Sequence, residues 1–321
     1  MDTPITGLHH VTSGVSGAQE DIDFLAGTIG LRIIKQTVLF DGTNPIYHLY
    51  YANRGAEVGS VMTTFPFRKV GYVGRRGSGQ VKTTGYSVPR GAVAFWAERF
   101  ARLGVPHGKP GERFGAHVLR FTHPAGLEFE MIEDADDRRD PWTTADIGAD
   151  SGVRGFHSVA MSVRDTEEQD RFLTEGLGFK RLGSDGAYTR YAINGGGAGR
   201  VIEFLHEPDV KQGTWAFCQG VVHHVALAVP TETEQLAVKA RLEGLGYTDC
   251  SEIKDRNYFH SIYVRSPGGI LVELATCDIG FAVDEAPDHL GEALLLPPWF
   301  EDRRAEIVAP LEPITVPRHA H

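Results

Sequence analysis

The residues best suited to chemistry in this 321-residue chain are two histidine doublets and one distant glutamate. The doublets are His9-His10 near the start and His223-His224 far downstream, and each is followed by a valine in a β-like run. Glu273 lies in a later run of the same kind. Two histidines and one carboxylate on one face of a metal are the ligands of non-haem Fe(II) enzymes that activate dioxygen. That chemistry requires segments far apart in the sequence to meet in space.

The elements that would position these residues form a fourfold repeat, in which each unit reads β-α-β-β-β. The helix of each unit ends in a glycine turn, and the four glycines lie 74, 74 and 68 positions apart. They are Gly30, Gly104, Gly178 and Gly246. Glycine adopts the left-handed conformation that ends a helix without a steric penalty, so these turns predict helix C-termini. One unit cannot cover its own sheet, so we expect units to pair around a shared cavity.

The repeat predicts an α+β protein in which four βαβββ modules form two domains of curved mixed sheet. A chain of this length accommodates two domains. An acid-rich stretch with little periodicity, Asp134 to Val153, separates the halves. We therefore expect an N-terminal domain at residues 1–150, and a C-terminal domain with an extension after its last module at residues 151–321. The glycine-rich stretch Phe65 to Gln80 lacks the strand and the Gly-Lys-Ser/Thr ending of a phosphate loop, which predicts a surface loop.

Charge, apolar runs and cysteines narrow the functional class. The net charge of −10 disfavours a nucleic-acid partner. No apolar run is long enough to span a bilayer, and the first residues lack the basic-then-apolar pattern of a secretory signal. The three cysteines, Cys218, Cys250 and Cys277, show no metal-type spacing and are typical of a reducing compartment. We expect a cytoplasmic protein with no membrane partner, for which homo-oligomerisation is common but cannot be read from the sequence.

Strand parity separates the candidate histidines. His10 and His224 each lie five residues before the valine that ends their β-like run, whereas His157 lies six residues before its valine. Because side chains alternate between the faces of a strand, His157 would point to the opposite side unless a bulge intervenes. By the same alternation, His9 and His223 face away from their neighbours in an ideal strand. A direct role for either therefore requires a departure from that geometry.

The closing strands of units two, three and four carry a carboxylate, and that of unit one carries none. Pairing unit one with unit four therefore gives two histidines, Glu273 and one position without a ligand, which predicts an open metal site. Pairing units two and three gives Glu130, His157 and Glu203, a weaker group that would be a degenerate second site. The alternative for all of these residues is a buried, hydrogen-bonded structural role.

Longer runs resemble one known group of proteins, and they cover nearly the whole chain. The runs are Leu8 to Thr12, Asp41-Gly42 through Pro45 to Tyr50, Val61 to Pro66, Arg113 to Gly115, Arg154 to Ser158, Leu205 to Asp209, Val222 to His224, Tyr258-Phe259 and Tyr263 to Gly269. Together with the repeats, they resemble the vicinal-oxygen-chelate superfamily of glyoxalases, bleomycin-resistance proteins and type I extradiol dioxygenases. Within it, the chain is most similar to the hydroquinone ring-cleaving dioxygenases of the 2,6-dichlorohydroquinone 1,2-dioxygenase type.

The resemblance implies Fe(II) as the cofactor, with Mn(II) as a substitute, held at the positions of His10, His224 and Glu273. It implies O₂ as co-substrate and a small aromatic substrate of the hydroquinone class. Residues that the family places beside the metal and the substrate match five further positions. These are His9, Thr12, His223, Arg256 and Tyr263.

The types of these residues suggest what each would do. His223 and Tyr263 would handle protons or hydrogen bonds near the bound phenol, and Arg256 would stabilise anionic charge. Thr12 lies two residues beyond His10, hence on the same strand face, where its hydroxyl would point at the ligand or at O₂. Without the resemblance, Tyr263 fits a core aromatic and Arg256 a solvated loop charge.

Three other functions stay open on the sequence. A catechol extradiol dioxygenase would use His157, His224 and Glu273, so that units three and four share the metal. A glyoxalase-like metal lyase or isomerase would need a fourth protein ligand, for which unit one supplies no carboxylate. A non-enzymatic protein that sequesters aromatic compounds would bind them tightly without consuming oxygen.

Overall fold

The computed structural model describes residues 3–39 and 44–317. The Asp41-Gly42 part of the family-like runs lies outside the described residues.

The strands of the described residues form two sheets of eight strands each. In chain order they are β1 Gly7–Val15, β2 Arg32–Leu39, β3 Ile46–Ala52, β4 Val61–Pro66, β5 Gln80–Val88, β6 Gly111–Arg113, β7 Ala116–Thr122, β8 Glu128–Glu133, β9 Gly155–Val163, β10 Lys180–Asp185, β11 Tyr188–Ala192, β12 Val201–His206, β13 Val222–Val229, β14 Lys254–Asp255, β15 His260–Arg265 and β16 Leu271–Thr276. Each module contributes four of them, as the repeat predicts.

Helices connect the first and second strands of each module. They are α1 Ala18–Ile22, α2 Ala92–Leu103, α3 Glu167–Arg171 and α4 Glu232–Gly244, with α5 Arg304–Val308 in the C-terminal extension. π-Helical turns, Asp23–Thr28 and Phe172–Gly176, continue α1 and α3, and 3-10 helices span Pro287–His289 and Pro298–Arg303. Among the described residues, none of these helices combines the length and the apolar character needed to traverse a bilayer.

The predicted helix ends are confirmed by backbone geometry. The glycines that mark them have φ of 75° at Gly30, 69° at Gly104, 81° at Gly178 and 97° at Gly246. A side chain at any of these left-handed positions would strain the backbone, so the four glycines share one mechanical cause.

The order of strands shows which modules share a sheet. One sheet runs β14-β15-β16-β13-β1-β4-β3-β2 and joins modules one and four; we call it the outer-module sheet. The other runs β10-β11-β12-β9-β5-β8-β7-β6 and joins modules two and three; we call it the inner-module sheet. The predicted fold of four modules in two curved mixed sheets is confirmed. The domain boundary between residues 150 and 151 stays a prediction, and each sheet takes strands from both sides of it.

The chain that follows β16 returns across the edge of the outer-module sheet. There the backbone N–H of Leu295 donates to the carbonyl of Gln36 at 3.0 Å. Further along β2, Val38 packs in a small buried cluster with Leu296 and Ile307. The neighbouring Lys35 is fully buried, and its ammonium lies 2.6 Å from a carboxylate oxygen of Glu285. The extension is therefore fixed to β2 by backbone, apolar and ionic contacts.

Candidate metal centre

The two opening strands at the centre of the outer-module sheet set the positions of the doublets. β1 and β13 pair antiparallel with Val11 opposite Val225, so His10 and His224 lie at equivalent places beside that pair. β16 runs parallel to β13 and places Glu273 opposite Ala226, one residue beyond the valine. The register thus brings two histidines and one carboxylate from modules one and four to a single point.

A β-bulge at the same place in each opening strand accounts for the doublets. The pairing of β1 with β13 skips one residue of each strand, His9 and His223. A bulge adds an unpaired residue and disturbs the alternation of faces, so adjacent side chains can share a side. The Nδ1 atoms of His9 and His10 lie 2.9 Å apart, and those of His223 and His224 lie 2.8 Å apart. Strand alternation predicted that His9 and His223 point away from the neighbouring ligand histidines. That prediction was wrong because alternation along a strand does not account for a bulge.

The inner-module sheet repeats the bulges with different residues. The pairing of β5 with β9 skips Lys82 and His157. His157 is therefore the counterpart of His9 and His223, while Ser158 takes the position of a ligand histidine. The Nδ1 atom of His157 lies 3.0 Å from the Ser158 hydroxyl.

The ligand atoms converge in a triangle. The Nε2 atoms of His10 and His224 are 3.2 Å apart, and Glu273 Oε2 lies 3.3 Å from the first and 2.8 Å from the second. Ligand atoms about 2.1 Å from an ion and at right angles to one another lie about 3 Å apart. The spacing fits three ligands on one face of a transition metal. Within the described residues, this is the one group of three histidine, cysteine or acidic side chains with metal-like spacing.

Both histidines adjacent to the ligands are held neutral. Burial, followed by the neighbouring ligand histidine, lowers the pKa of His9 to about 3 and that of His223 to about 3. The Thr276 backbone is a hydrogen-bond partner of His9. If the Thr276 carbonyl accepts a hydrogen bond from His9 Nε2–H, the Nδ1 atom of His9 is left to accept a hydrogen bond from the Nδ1–H of His10. The Nε2 lone pair of His10 then points into the triangle, as metal ligation requires.

The carboxylate supports the same assignment. Glu273 is fully buried, and the Ser261 hydroxyl donates to its Oε1 atom. Burial disfavours its charge, yet His10 and His224 hold its pKa well below the usual range. Its Oε2 atom has no hydrogen-bond donor. Three buried acceptor atoms facing one another are unfavourable without a cation, and a divalent metal satisfies all three.

A cavity of about 700 Å³ opens from this triangle, with His10 and His224 in its wall. Tyr263 and Arg256 also line it, and the Arg256 Nε–H donates to the Tyr263 hydroxyl at 3.2 Å. Burial, followed by the charge of Glu273, raises the pKa of Tyr263. Its hydroxyl therefore stays protonated and can donate a hydrogen bond to a bound oxygen. Arg256 and Tyr263, which the sequence placed at the site through the resemblance, therefore form one polar pair in the cavity wall.

Aromatic rings form the walls beside the ligands. The ring of Phe259 lies 4.9 Å from that of His10, and Phe217 stacks on His223 at 4.1 Å. Phe65 contacts Phe217 with ring centroids 4.7 Å apart and stacks on His48 at 3.9 Å. An aromatic substrate would pack between flat apolar surfaces here and would exclude water from the metal.

A hydrogen-bonded chain that the sequence did not single out lies along the cavity. The Thr12 and Thr63 hydroxyls are 2.8 Å apart, Thr63 lies 3.1 Å from His48 Nε2, and His48 Nδ1 lies 3.1 Å from the Tyr50 hydroxyl. The Thr12 hydroxyl is thus hydrogen-bonded to Thr63, while the strand register places Thr12 opposite His224. Thr63 occupies the place in module one where the other modules carry a carboxylate, because it pairs with Thr12 as Glu273 pairs with Ala226. The side chain at the fourth ligand position is therefore a hydroxyl.

In the inner-module sheet the Arg113 guanidinium occupies the place that corresponds to the candidate metal site. Glu130 and Glu203 occupy the positions equivalent to Glu273, and both are buried. Arg113 donates to the two carboxylate oxygens of Glu130 at 2.9 and 2.6 Å and lies 3.0 Å from Glu203. The predicted group of Glu130, His157 and Glu203 therefore does not assemble as a metal site. A local pattern could not have revealed this, because Arg113 reaches the carboxylates from another strand.

Low pH is expected to destabilise the metal-free protein through its buried bulge histidines. The folded-state pKa values, about 3 for His9 and about 4 for His157, lie below the ordinary 6.5, chiefly because of burial. Between those values the unfolded state binds more protons, so stability is complete above about pH 6.5 and falls as the pH decreases, by at most about 1.4 kcal/mol per pH unit for each histidine. Thermal unfolding measured from pH 7.5 to 4.5 should show this decline, and a shallower one in the His157→Gln variant. A melting temperature independent of pH over that interval would contradict the assignment.

Comparisons with known proteins show the family and the fold of the chain. Residues 155–274 match the model of the Glyoxalase/Bleomycin resistance protein/Dioxygenase superfamily. The chain is 41% identical, over 97% of its length and 98% of the relative's, to a chlorohydroquinone/hydroquinone 1,2-dioxygenase of Sphingobium indicum. It is 37% identical, over 97% of both chains, to MhqO of Bacillus subtilis, whose name assigns it provisionally to the ring-cleaving dioxygenases.

Solved structures show the same fold. A Bacillus subtilis protein, described provisionally as a dioxygenase, superposes with a TM-score of 0.91 at 36% identity and covers 99% of this chain and 100% of its own. Glyoxalase I from Zea mays superposes with a TM-score of 0.62 at 17% identity, covering 84% of this chain and 92% of its own, and supports the fold alone.

Proposed function

Because the chain belongs to the glyoxalase/bleomycin resistance protein/dioxygenase superfamily, we propose that it is an Fe(II)-dependent ring-cleaving dioxygenase of hydroquinones. The observation that carries the proposal is the triangle of buried acceptor atoms from His10, His224 and Glu273, which faces an aromatic-walled cavity. The relative from Sphingobium indicum, named for hydroquinone cleavage, supports the substrate class. Mn(II) is the proposed substitute metal, and a cytoplasmic location and homo-oligomerisation remain predictions.

The bound metal would supply the Lewis acidity and one-electron chemistry that let a phenol and O₂ react in one coordination sphere. The chain's own residues prepare that site. His9 and His223 would accept hydrogen bonds from the Nδ1–H groups of His10 and His224, which would fix the ligand rings and leave their Nε2 lone pairs free. Ser261 holds the second oxygen of Glu273, so that the other oxygen faces the metal.

The cavity residues would handle the substrate. Tyr263 would donate a hydrogen bond to a phenol oxygen, and Arg256 would stabilise negative charge on the same oxygen. Phe259 and Phe217 would hold the ring and keep water away. The proposed catalytic set is therefore His9, Thr12, His223, Arg256 and Tyr263, with Thr12 acting through Thr63 and His48.

The geometry disfavours all three alternatives. A catechol-type site built on His157 would require that side chain beside Glu273, but His157 lies in the inner-module sheet. A glyoxalase-like site would need a carboxylate at the position of Thr63. The hydroxyl of Thr63 is instead hydrogen-bonded to Thr12 and to His48. A metal-free aromatic-sequestering protein would leave three buried acceptors without a cation.

The proposal is tested by anaerobic reconstitution with Fe(II), followed by oxygen-uptake measurements with hydroquinone, chlorohydroquinone, methylhydroquinone and catechol. We expect oxygen consumption with hydroquinones and weak or absent consumption with catechol. Uptake with catechol alone would support the extradiol alternative. Tight aromatic binding without uptake, in protein shown to contain iron, would support the sequestering one.

Tyr263→Phe is expected to lower kcat by about 10²-fold with a small change in KM, because the substitution removes a hydrogen-bond donor and keeps the aromatic ring. Tyr188→Phe is the matched control, since the Tyr188 hydroxyl accepts a hydrogen bond from Arg120 at 2.9 Å in the inner-module sheet, and the Tyr263 hydroxyl accepts one from Arg256 at 3.2 Å. Steady-state kinetics and iron content check both variants. Equal loss of kcat in both, with iron retained, would remove Tyr263 from the proposed catalytic set.

A further inference from the structure

The two ends of the cavity differ in chemistry. Its inner end carries the metal ligands and the Arg256–Tyr263 pair. Its outer end lies at β2, the edge strand three strands from β1, and is lined by apolar side chains from β2 and the C-terminal extension: Val38, Leu39, Pro297, Trp299 and Phe300. A molecule that reaches from one end to the other would be polar at the metal and apolar at the mouth.

The outer wall is firmly supported from behind. Phe300 packs against the buried cluster of Val38, Leu296 and Ile307. The Arg304 guanidinium donates to the carbonyl of Leu294 at 3.1 Å and closes the segment that carries Pro297 to Phe300. The extension adds Pro297, Trp299 and Phe300 of this wall to the four modules, so these three residues belong to neither sheet.

Large apolar side chains at the mouth are left partly in water. Trp299 is 52% exposed and Leu39 is 37% exposed, and both line the cavity. Covering such surface with an apolar group is favourable, at about 25 cal/mol per Å². The cavity volume of about 700 Å³ also falls within the ~300–1,000 Å³ of pockets that enclose drug-sized ligands, and a single ring with two hydroxyls fills only part of it.

We propose that the outer wall selects hydroquinones that carry an apolar substituent longer than a methyl group, such as an alkyl chain or a second ring. The phenol oxygen lies at the metal, and the substituent lies along Leu39, Trp299 and Phe300. This inference rests on the proposed function and names its substrate class. Each methylene that enters the outer end should raise kcat/KM about fourfold, equivalent to about 0.8 kcal/mol, mainly through KM.

The test compares hydroquinone with methyl-, propyl-, pentyl- and phenylhydroquinone, using oxygen uptake by the Fe(II)-loaded protein. We expect kcat/KM to rise from methyl to pentyl. A constant or falling kcat/KM beyond methyl, with turnover of hydroquinone itself, would overturn the selection and leave the proposed function intact. No uptake with any of the five would remove the proposed function instead.

Binding measured without turnover separates the two questions. Quenching of tryptophan fluorescence by each hydroquinone, under anaerobic conditions and with Zn(II) in place of iron, gives a Kd that does not depend on chemistry. The Kd should fall along the alkyl series even in protein that cannot cleave the ring. Equal Kd values along the series would overturn the proposal independently of activity.

A variant pair locates the effect. Trp299→Ala should weaken pentylhydroquinone binding about tenfold and change hydroquinone binding less than twofold, because only the longer ligand reaches the mouth. The matched control is Trp215→Ala, since Trp215 is also about half exposed, at 50%, but lies outside this cavity. An equal loss for both ligands in Trp299→Ala, or the selective loss in Trp215→Ala, would contradict the proposed wall. Trp299→Phe, which keeps an aromatic ring, should restore most of the selectivity.

Discussion

Replacing His10 by alanine is expected to remove the bound metal and to lower ring cleavage by about 10³-fold or more. The variant deletes one corner of the ligand triangle and leaves Glu273 Oε2 with a single histidine at 2.8 Å. A metal contributes several kcal/mol to such reactions, and each 1.4 kcal/mol is a factor of ten in rate. Inductively coupled plasma mass spectrometry measures the loss of metal, and oxygen uptake measures the loss of ring cleavage. His224→Ala should behave in the same way, because the two histidines are equivalent by register.

The matched control is His157→Ala in the inner-module sheet. His157 is also a buried histidine in an opening strand, but it occupies a bulge position and not a ligand position. We expect this variant to keep its metal and its turnover. Loss of metal from His157→Ala, with retention in His10→Ala, would reverse the assignment and establish the catechol-type set of His157, His224 and Glu273.

Arg113→Ala should produce the largest loss of stability. The substitution leaves Glu130 and Glu203 buried without the guanidinium that bridges them, although Arg120 and Arg190 still contact one carboxylate each. Breaking a buried ion pair by removing one partner costs about 3–5 kcal/mol. Urea unfolding at pH 7 measures this loss, and metal content should not change because the ligands lie in the other sheet.

The pH dependence of that loss identifies its cause. Burial disfavours the charge of Glu130, but Arg113 and Arg120 hold its pKa below the usual range. A depressed carboxyl pKa contributes stability above the unfolded value of about 4.3 and loses it as the pH falls below that value. The difference between the native protein and Arg113→Ala should therefore shrink below about pH 4.3. Arg102→Ala, at an exposed position of α2, controls for arginine removal and should change stability by less than about 0.5 kcal/mol. A loss of the same size in Arg102→Ala would contradict the bridging role.

Much of the fold could be predicted from the sequence, because its signals are local. The four glycine turns have one steric cause, and the β-like runs between them repeat with them. Parity along the strands was enough to separate His10 and His224 from His157. The sequence could not show the bulges, since a bulge depends on the partner strand as well as on the residues it contains. The resemblance placed His9 and His223 beside the ligands, but the bulges that bring them there became visible only in the structure.

Other features of the site depend on long-range contacts that carry no local pattern. His48 lies on the third strand of module one and contacts Thr63 on the neighbouring strand β4. Arg113 follows a loop in module two and meets a carboxylate of module three. Trp299 in the outer wall of the cavity comes from the C-terminal extension, which has no counterpart among the four modules. In each case the residue type was visible in the sequence, but its partner was not.

The pairing of modules one and four has a consequence for biosynthesis. The inner-module sheet draws on one continuous stretch, Gln80 to His206, whereas the outer-module sheet joins strands from opposite ends of the chain. Domains tend to fold as their residues emerge from the ribosome. The inner-module sheet can therefore form on a nascent chain, while β1 must wait for β13 and β16. A ribosome-stalled product that ends before Val222 should fold its inner half and bind no iron, so metal capture would be among the last events in making this protein.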